Sequence, residues 1–289
     1  MFKKFANVFS RKGSYTPKLE DTSVVVEGKN FSKNPEPFGK GGDGYVFSGE
    51  NSETLQAVAI KFIPLNSDKK IKKEQQQDLE IFKSVNHPNI VTFLAGEEFP
   101  TMIVIAMELL SKGSIEKNLP SDGYSSLIYM KILLDISSAL KYLHGKRIVH
   151  GDVKDANILH GENDTFKLCD FGAAAKLDEQ PLSQYGTPQY APPESYKKEG
   201  LSYSSDIWAF GIVLIRCATG KFPFLISSIF DFMEMINKNS IEYDPGFQQK
   251  HRQLHSVVVH MLNFNPEKRV SAARVHSFAE SVVRPKMTV

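Results

Sequence analysis

The chain has 289 residues, enough for one large domain or for two lobes that each bury a core. Its 35 Lys plus Arg nearly balance 33 Asp plus Glu, so no strong overall field points to a nucleic acid or membrane partner. Cys169 and Cys217 sit in apolar runs without C-x-x-C spacing, which argues against a disulfide framework or zinc site and fits a reducing compartment, cytoplasmic or nuclear.

The N-terminal stretch MFKKFANVFSRKG breaks its apolar residues with Lys3 and Lys4, so it lacks the continuous core of a secretory signal. Phe2, Phe5 and Phe9 would share one helical face, away from Lys3, Lys4, Arg11 and Lys12. Residues 1–12 are thus a candidate peripheral membrane or docking segment, and a frayed terminus is the plainer reading. From Phe31 to Met107 short β-branched and aromatic runs, AVAIKFI, NIVTFL and MIVIAM, predict strands. One helix interrupts them in DKKIKKEQQQDLEIFKSV, with Ile71, Leu79, Phe82 and Val85 as its apolar stripe.

After the connection ELLSKGS the pattern turns helical. SLIYMKILLDISSALKYLHG sets Tyr129, Ile132, Leu133, Ile136, Leu140 and Leu143 at three- and four-residue steps, with Gly145 as a stop. Two brief strands, NILH and FKLCD, come next. IWAFGIVLI falls short of the roughly 20 residues a membrane span needs and reads as a buried helix. A small β-rich lobe and a larger helical one would meet at a cleft, where small-molecule sites often form.

FGKGGDGYVF carries Gly39, Gly41 and Gly44 in G-x-G-x-x-G spacing before Val46. Glycines let backbone N–H groups approach phosphate oxygens. The motif alone is weak, since a glycine-rich hairpin can be a plain turn. It leads into a strand, YVFSGE, and not into the helix a dinucleotide fold requires. Lys61 lies inside AVAIKFI, so an inward ammonium there needs anionic partners such as a nucleotide's phosphates. For its carboxylate partner Asp78 is favoured and Glu74 is the fallback, because Asp78 stands one turn from both Glu74 and Phe82 whereas Glu80 is turned about 200° away. Both carboxylates as solvated helix charges is the plainer alternative.

HGDVKDAN offers Asp152, Lys154 and Asn157, and CDFG adds Asp170 thirteen residues after Asn157. Asn157 and Asp170 are hard oxygen ligands suited to Mg²⁺, Asp152 can orient a hydroxyl and take its proton, and Lys154 can offset phosphoryl charge.

The ordered set of glycine loop, VAIK, HGDVKDAN, DFG, GTPQYAPPE, DIWAFG and NPEKR resembles the eukaryotic protein kinase family over about residues 31–283. Lys154 and Thr187 resemble its serine/threonine branch, and HGDVKDAN, HPNIV and KGSI look most like mitogen-activated protein kinase kinase kinases, especially the NF-kappa-B-inducing kinase. Interleukin-1-receptor-associated kinases share a similar HGD loop. The resemblance implies an α+β bilobal fold: an N-terminal basic extension 1–30, a β-rich N-lobe 31–107 with one main helix, a hinge 108–113, a helical C-lobe 114–283 and a tail 284–289.

It also implies ATP and Mg²⁺, with Mn²⁺ as an alternative, and transfer of the γ-phosphoryl group to Ser or Thr of a protein substrate. Asp152, Lys154, Lys61 and Asp78 would be catalytic. The nucleotide would meet Gly39, Lys40, Gly41, Gly42, Asp43, Gly44, Tyr45, Val46, Ala59, Lys61, Met107, Glu108, Leu110, Asn157, Leu159 and Asp170. Asp206 would brace the catalytic loop and Glu194 would pair with Arg269. No nucleic-acid partner is expected, and the sequence leaves the oligomeric state open.

Three departures stand out. Asp78 replaces a Glu, PPE replaces APE at Pro192–Glu194, and Gly151 replaces an arginine that receives an activation-loop phosphate in many relatives. The last predicts activity largely independent of phosphate on Ser183 or Tyr185. The competing reading is a pseudokinase or scaffold, favoured only by Asp78. A small-molecule kinase would not explain GTPQYAPPE.

Overall fold

The computed structural model describes residues 15–41, 44–177, 186–196, 200, 202–223, 234, 238, 241 and 245–287. They form two compact units: the residues up to Lys72 together with Phe93–Leu109, and Lys73–Thr92 together with the residues from Leu110 onward.

The first unit is a seven-stranded antiparallel sheet: β1 (Ser23–Val26), β2 (Lys29–Lys33), β3 (Gly39–Gly41), β4 (Gly44–Asn51), β5 (Ala57–Pro64), and, after helix α1 (Lys69–Ser84), β6 (Phe93–Glu98) and β7 (Met102–Glu108). The order is β1-β2-β4-β5-β7-β6, with β3 paired to β4. Alternation sorts the side chains. Phe47, Val58, Ile60, Phe62, Val104 and Ala106 point into a core that also takes Val24, Val26 and Phe31. The sheet therefore begins inside the stretch read as an N-terminal extension, because Val24 and Val26 fill this core. Lys33 is buried too; its ammonium donates to Leu19 O at 2.8 Å and lies 3.8 Å from the Phe47 ring centroid.

NIVTFL departs from its predicted strand, which starts only at Phe93. Upstream, the backbone is spent elsewhere: Val91 N donates to Leu168 O and Leu168 N to Asn89 O, both at 2.9 Å. Those bonds, with Asn86 N on the Tyr142 hydroxyl at 2.9 Å, tie residues 86–91 to the second unit rather than to the lobe expected over 31–107. In α1 the buried residues are Leu79, Ile81 and Phe82, while Ile71 is exposed.

The second unit holds α2 (Ser126–Gly145), β8 (Ile148–Val149), β9 (Ile158–His160), β10 (Phe166–Leu168), β11 (Ala175–Lys176), α3 (Pro193–Tyr196), α4 (Tyr203–Thr219), α5 (Pro245–Lys250), α6 (Arg252–Met261) and α7 (Ala272–Met287). All six apolar positions predicted for α2 are buried. α4 carries IWAFGIVLI through the core, and its Trp208 and Phe210 are fully buried, each worth about 1.5–3 kcal/mol over exposure. Ser202 caps α4 in a reciprocal box with Ser205, and Gly220 ends it at φ 73°. The two brief strands expected at NILH and FKLCD form as β9 and β10, which pair antiparallel, and β8 pairs with β11, two residues each, which periodicity did not reveal. Among the described residues no helix is long and apolar enough to cross a membrane.

Candidate active site

In the first unit, register places the nucleotide candidates on the sheet face opposite the core. Gly39 pairs with Val46, Val46 with Lys61, Lys61 with Ile105, and Ala59 with Met107. Val46, Ala59, Lys61 and Met107 therefore share one face, because paired residues point the same way. Tyr45 and Glu108 fall on the other parity: Tyr45 packs against the core cluster, with the Lys40 ammonium 5.4 Å from its ring centroid. Only their backbones remain to serve a nucleotide. Gly44 is required by the fold, at φ 139° with a would-be Cβ only 2.0 Å from Phe62 O. Gly39 is not, since a Cβ there would make ordinary contact with Val46 at 3.5 Å. The protein leaves that glycine's space open, as close approach of a phosphate requires. Gly42 and Asp43 lie outside the described residues.

In the second unit, Asp152 is held from three directions. Thr187 Oγ1 donates to its Oδ1 at 2.7 Å, Lys154 Nζ meets Oδ2 at 2.7 Å, and Asn157 Nδ2 donates to Oδ2 at 3.1 Å and to Asp152 O at 2.9 Å. Lys154 also donates to Thr187 at 2.9 Å. A carboxylate has about four lone-pair sites, and among the described residues these contacts fill three, leaving one on Oδ1 for a further hydroxyl.

The loop carrying Asp152 is fixed by buried Asp206 on α4. Its Oδ2 accepts His150 N and His144 Nε2, and its Oδ1 accepts Gly151 N, all at 2.9 Å. His150 Nδ1 accepts Asp152 N at 3.3 Å while Nε2 meets Cys169 O at 3.1 Å, which sets the proton on Nε2. Phe171 stacks on Phe82 at 5.0 Å and meets His150 edge-on at 5.3 Å. This places α1's last turns beside Asp170. Half-buried Asp78 stands one turn before Phe82, while Glu74 is exposed. Asp170 has φ 64°, a conformation that Asp tolerates better than most residues. Leu159 pairs with Lys167 in the β9–β10 ladder, and Leu110 is buried.

Among the described residues no three His, Cys, Asp or Glu side chains cluster as a metal cage. Magnesium does not need one when it keeps waters and phosphate ligands. Asn157 and Asp170 fit that pattern: the amide nitrogen of Asn157 is spent on Asp152, which leaves its oxygen for a cation.

Farther out, Arg269 forks onto Glu194 at 2.7 and 2.9 Å, as the resemblance implied. A second network went unread in the sequence. Tyr190 Oη donates to Asp155 Oδ1 at 2.5 Å, and Arg216 Nη1 donates both to Asp155 Oδ2 and, at 2.9 Å, to Tyr190 Oη.

A sequence model of the protein kinase domain matches residues 33–279. The chain belongs to the protein kinase family. The kinase chain is 32% identical over 261 residues to serine/threonine-protein kinase RUNKEL of Arabidopsis thaliana, covering 86% of this chain and 18% of that one. It is 34% identical over 213 residues to serine/threonine-protein kinase 36 of Pongo abelii, covering 72% of this chain and 16% of that protein. Mitogen-activated protein kinase kinase kinase A of Dictyostelium discoideum is 34% identical over 195 residues, 64% of this kinase and 21% of its own length. The chain thus spans less than a fifth of the length of the first two relatives.

Proposed function

We propose that the chain is an active serine/threonine protein kinase that transfers the γ-phosphoryl group of ATP to a protein hydroxyl. The observation that carries this reading is the grip on Asp152 by Thr187, Lys154 and Asn157, which among the described residues leaves one acceptor site on Oδ1. A substrate Ser or Thr hydroxyl donates there and is oriented by it. As the hydroxyl oxygen bonds to the γ-phosphorus and the bond to the β-phosphate oxygen breaks, Asp152 accepts the proton. Lys154, one hydrogen bond from Thr187, supplies positive charge at that oxygen. Lys61, on the same sheet face as Val46, Ala59 and Met107, holds the α- and β-phosphates, and backbone groups of Glu108 and Leu110 meet the adenine edge. Magnesium, or manganese in its place, would be held by Asn157 and Asp170 and would screen phosphate charge.

The likeness to a mitogen-activated protein kinase kinase kinase supports a signalling role of that kind. Purified protein given ATP and magnesium should label Ser or Thr in a peptide library, and Asp152→Asn should lower transfer by roughly 10²–10⁴-fold. Equal labelling by the variant refutes the mechanism, and nucleotide binding without any labelling makes the chain a scaffold.

A further inference from the structure

Asp155 follows Lys154 in the catalytic loop, and its nearly inaccessible carboxylate is met by three donors: Ala156 N at 3.0 Å, Tyr190 Oη at 2.5 Å and Arg216 Nη1. The arginine is not used up by this contact. A guanidinium carries five N–H donors in a planar fork. The two on Nη1 go to Asp155 and Tyr190. The three on Nε and Nη2 donate to no described residue. They are not sealed in the interior either, since Trp208 Nε1 is the only buried side-chain nitrogen or oxygen without a partner among the described residues. Nε and Nη2 are the edge that grips a carboxylate or phosphate through two parallel hydrogen bonds.

The surroundings hold that edge in place. The Phe222 ring lies 4.4 Å from the guanidinium carbon, and Tyr190 meets Phe222 edge-on at 5.5 Å. The side chain is 19% exposed, so water screens it only partly. Burial disfavours its charge, but Asp155, Tyr190 and the more distant Glu116 outweigh this and raise its pKa. The negative charge of Asp155 is shared with Tyr190 and Ala156, so an incoming anion meets a carboxylate already solvated by the protein.

We propose that the Nε–Nη2 edge of Arg216 is a subsite for an anionic side chain, a carboxylate or a phosphate, on the peptide substrate. The placement favours a peptide residue near the acceptor, because Tyr190 belongs to the same GTPQY segment as Thr187, which contacts Asp152. The inference rests on the kinase reading for its substrate but has its own readout.

Fluorescent Ser peptides carrying Asp, phosphoserine or Gln at each flanking position are compared by kcat/KM and, without nucleotide, by anisotropy. At one flanking position an anion should improve both over Gln by roughly tenfold. Arg216→Lys, which keeps a counter-charge for Asp155 but has no fork, should bring the Asp-over-Gln ratio close to one, as should Arg216→Gln combined with Asp155→Asn. A larger gain with phosphoserine than with Asp marks the phosphate as the preferred anion, and equal gains mean that a carboxylate suffices. Anionic peptides no better than Gln in both measurements, or an advantage that survives Arg216→Lys, overturns the subsite. Anion-selective binding lost in Arg216→Lys, with no peptide labelled, sinks the kinase reading and leaves the subsite standing.

Discussion

Gly186 N donates to Gly151 O at 3.2 Å, joining the far end of the segment between DFG and GTPQY to the catalytic loop. The near end is joined as well, through Ala175 and Lys176 pairing with β8 and Leu177 N donating to Arg147 O at 3.2 Å. Neither glycine has room for a side chain. A Cβ on Gly151 would sit 2.3 Å from Ala173 O, and one on Gly186 would sit 2.7 Å from Asp152 Cγ. We propose that these bonds at the two described ends stand in for a phosphate clamped by an arginine. Ser183 and Tyr185, the candidate phosphate carriers, lie outside the described residues. Phosphatase-treated protein should keep at least half of its transfer rate, and loss of transfer on removal of phosphate would refute the prediction.

Putting an arginine at position 151 should not install that clamp. At φ 77° a non-glycine residue costs about 1–3 kcal/mol, and the contact with Ala173 O adds to this. Gly151→Arg should therefore lower both the denaturation midpoint and the transfer rate, whatever the phosphorylation state. A variant of parental stability would show that the loop has room to move.

Thr187 is expected to act on rate rather than on folding. Its hydroxyl links Lys154 to Asp152 through bonds of 2.9 and 2.7 Å, and a bond to a charged group is worth about 1.5–3 kcal/mol. Thr187→Val should lower kcat by roughly ten- to a hundredfold with little change in melting temperature, while Thr187→Ser retains most of it. A Thr187→Val enzyme with parental kcat would remove Thr187 from the mechanism.

Glu194 and Arg269 should show the opposite profile. The pair is buried and bidentate, and Arg269 also donates to Ser204 O at 2.7 Å and Asn263 O at 3.0 Å. Removing one partner strands a buried charge, at a cost of about 3–5 kcal/mol. Glu194→Gln should lose stability of that order in urea unfolding. In the double variant with Arg269→Met the loss should be smaller than the sum of the single losses. Strict additivity would show that the two are not coupled.

Local signals made α2 legible from end to end, because its apolar residues recur on one face with no competing partner nearby in sequence. The same reasoning failed at NIVTFL. Ile90 and Val91 are buried as a strand pattern demands, yet their backbone bonds go to Leu168 and His87. Asp152, Lys154 and Asn157, which the structure joins by hydrogen bonds and an ion pair, could be picked out together because they fall in one short motif. Arg216 could not: it lies 61 residues from Asp155 and looks like the polar end of a core helix. Tyr45 shows the remaining limit, since a motif places a residue in the chain while strand parity decides which face its side chain takes.

His87 and His251 should make stability fall in mild acid. Burial lowers the pKa of His87, the nearby His276 lowers it further, and Asp135 opposes both. His87 Nδ1 already accepts Asn89 N at 3.1 Å and Nε2 meets Ser138 Oγ at 3.3 Å, so a second ring proton would break the first of these bonds. Burial, then Lys250, lowers His251. Both folded pKa values lie below the unfolded 6.5, so the unfolded chain binds more protons between them. Their contribution is thus complete above about pH 6.5 and is lost as pH falls through the depressed folded values. The melting temperature should drop between pH 7.5 and 5.5, and His87→Gln should make that drop shallower, since one of the protons taken up on unfolding is gone. Parallel profiles for parent and variant would show that His87 does not contribute.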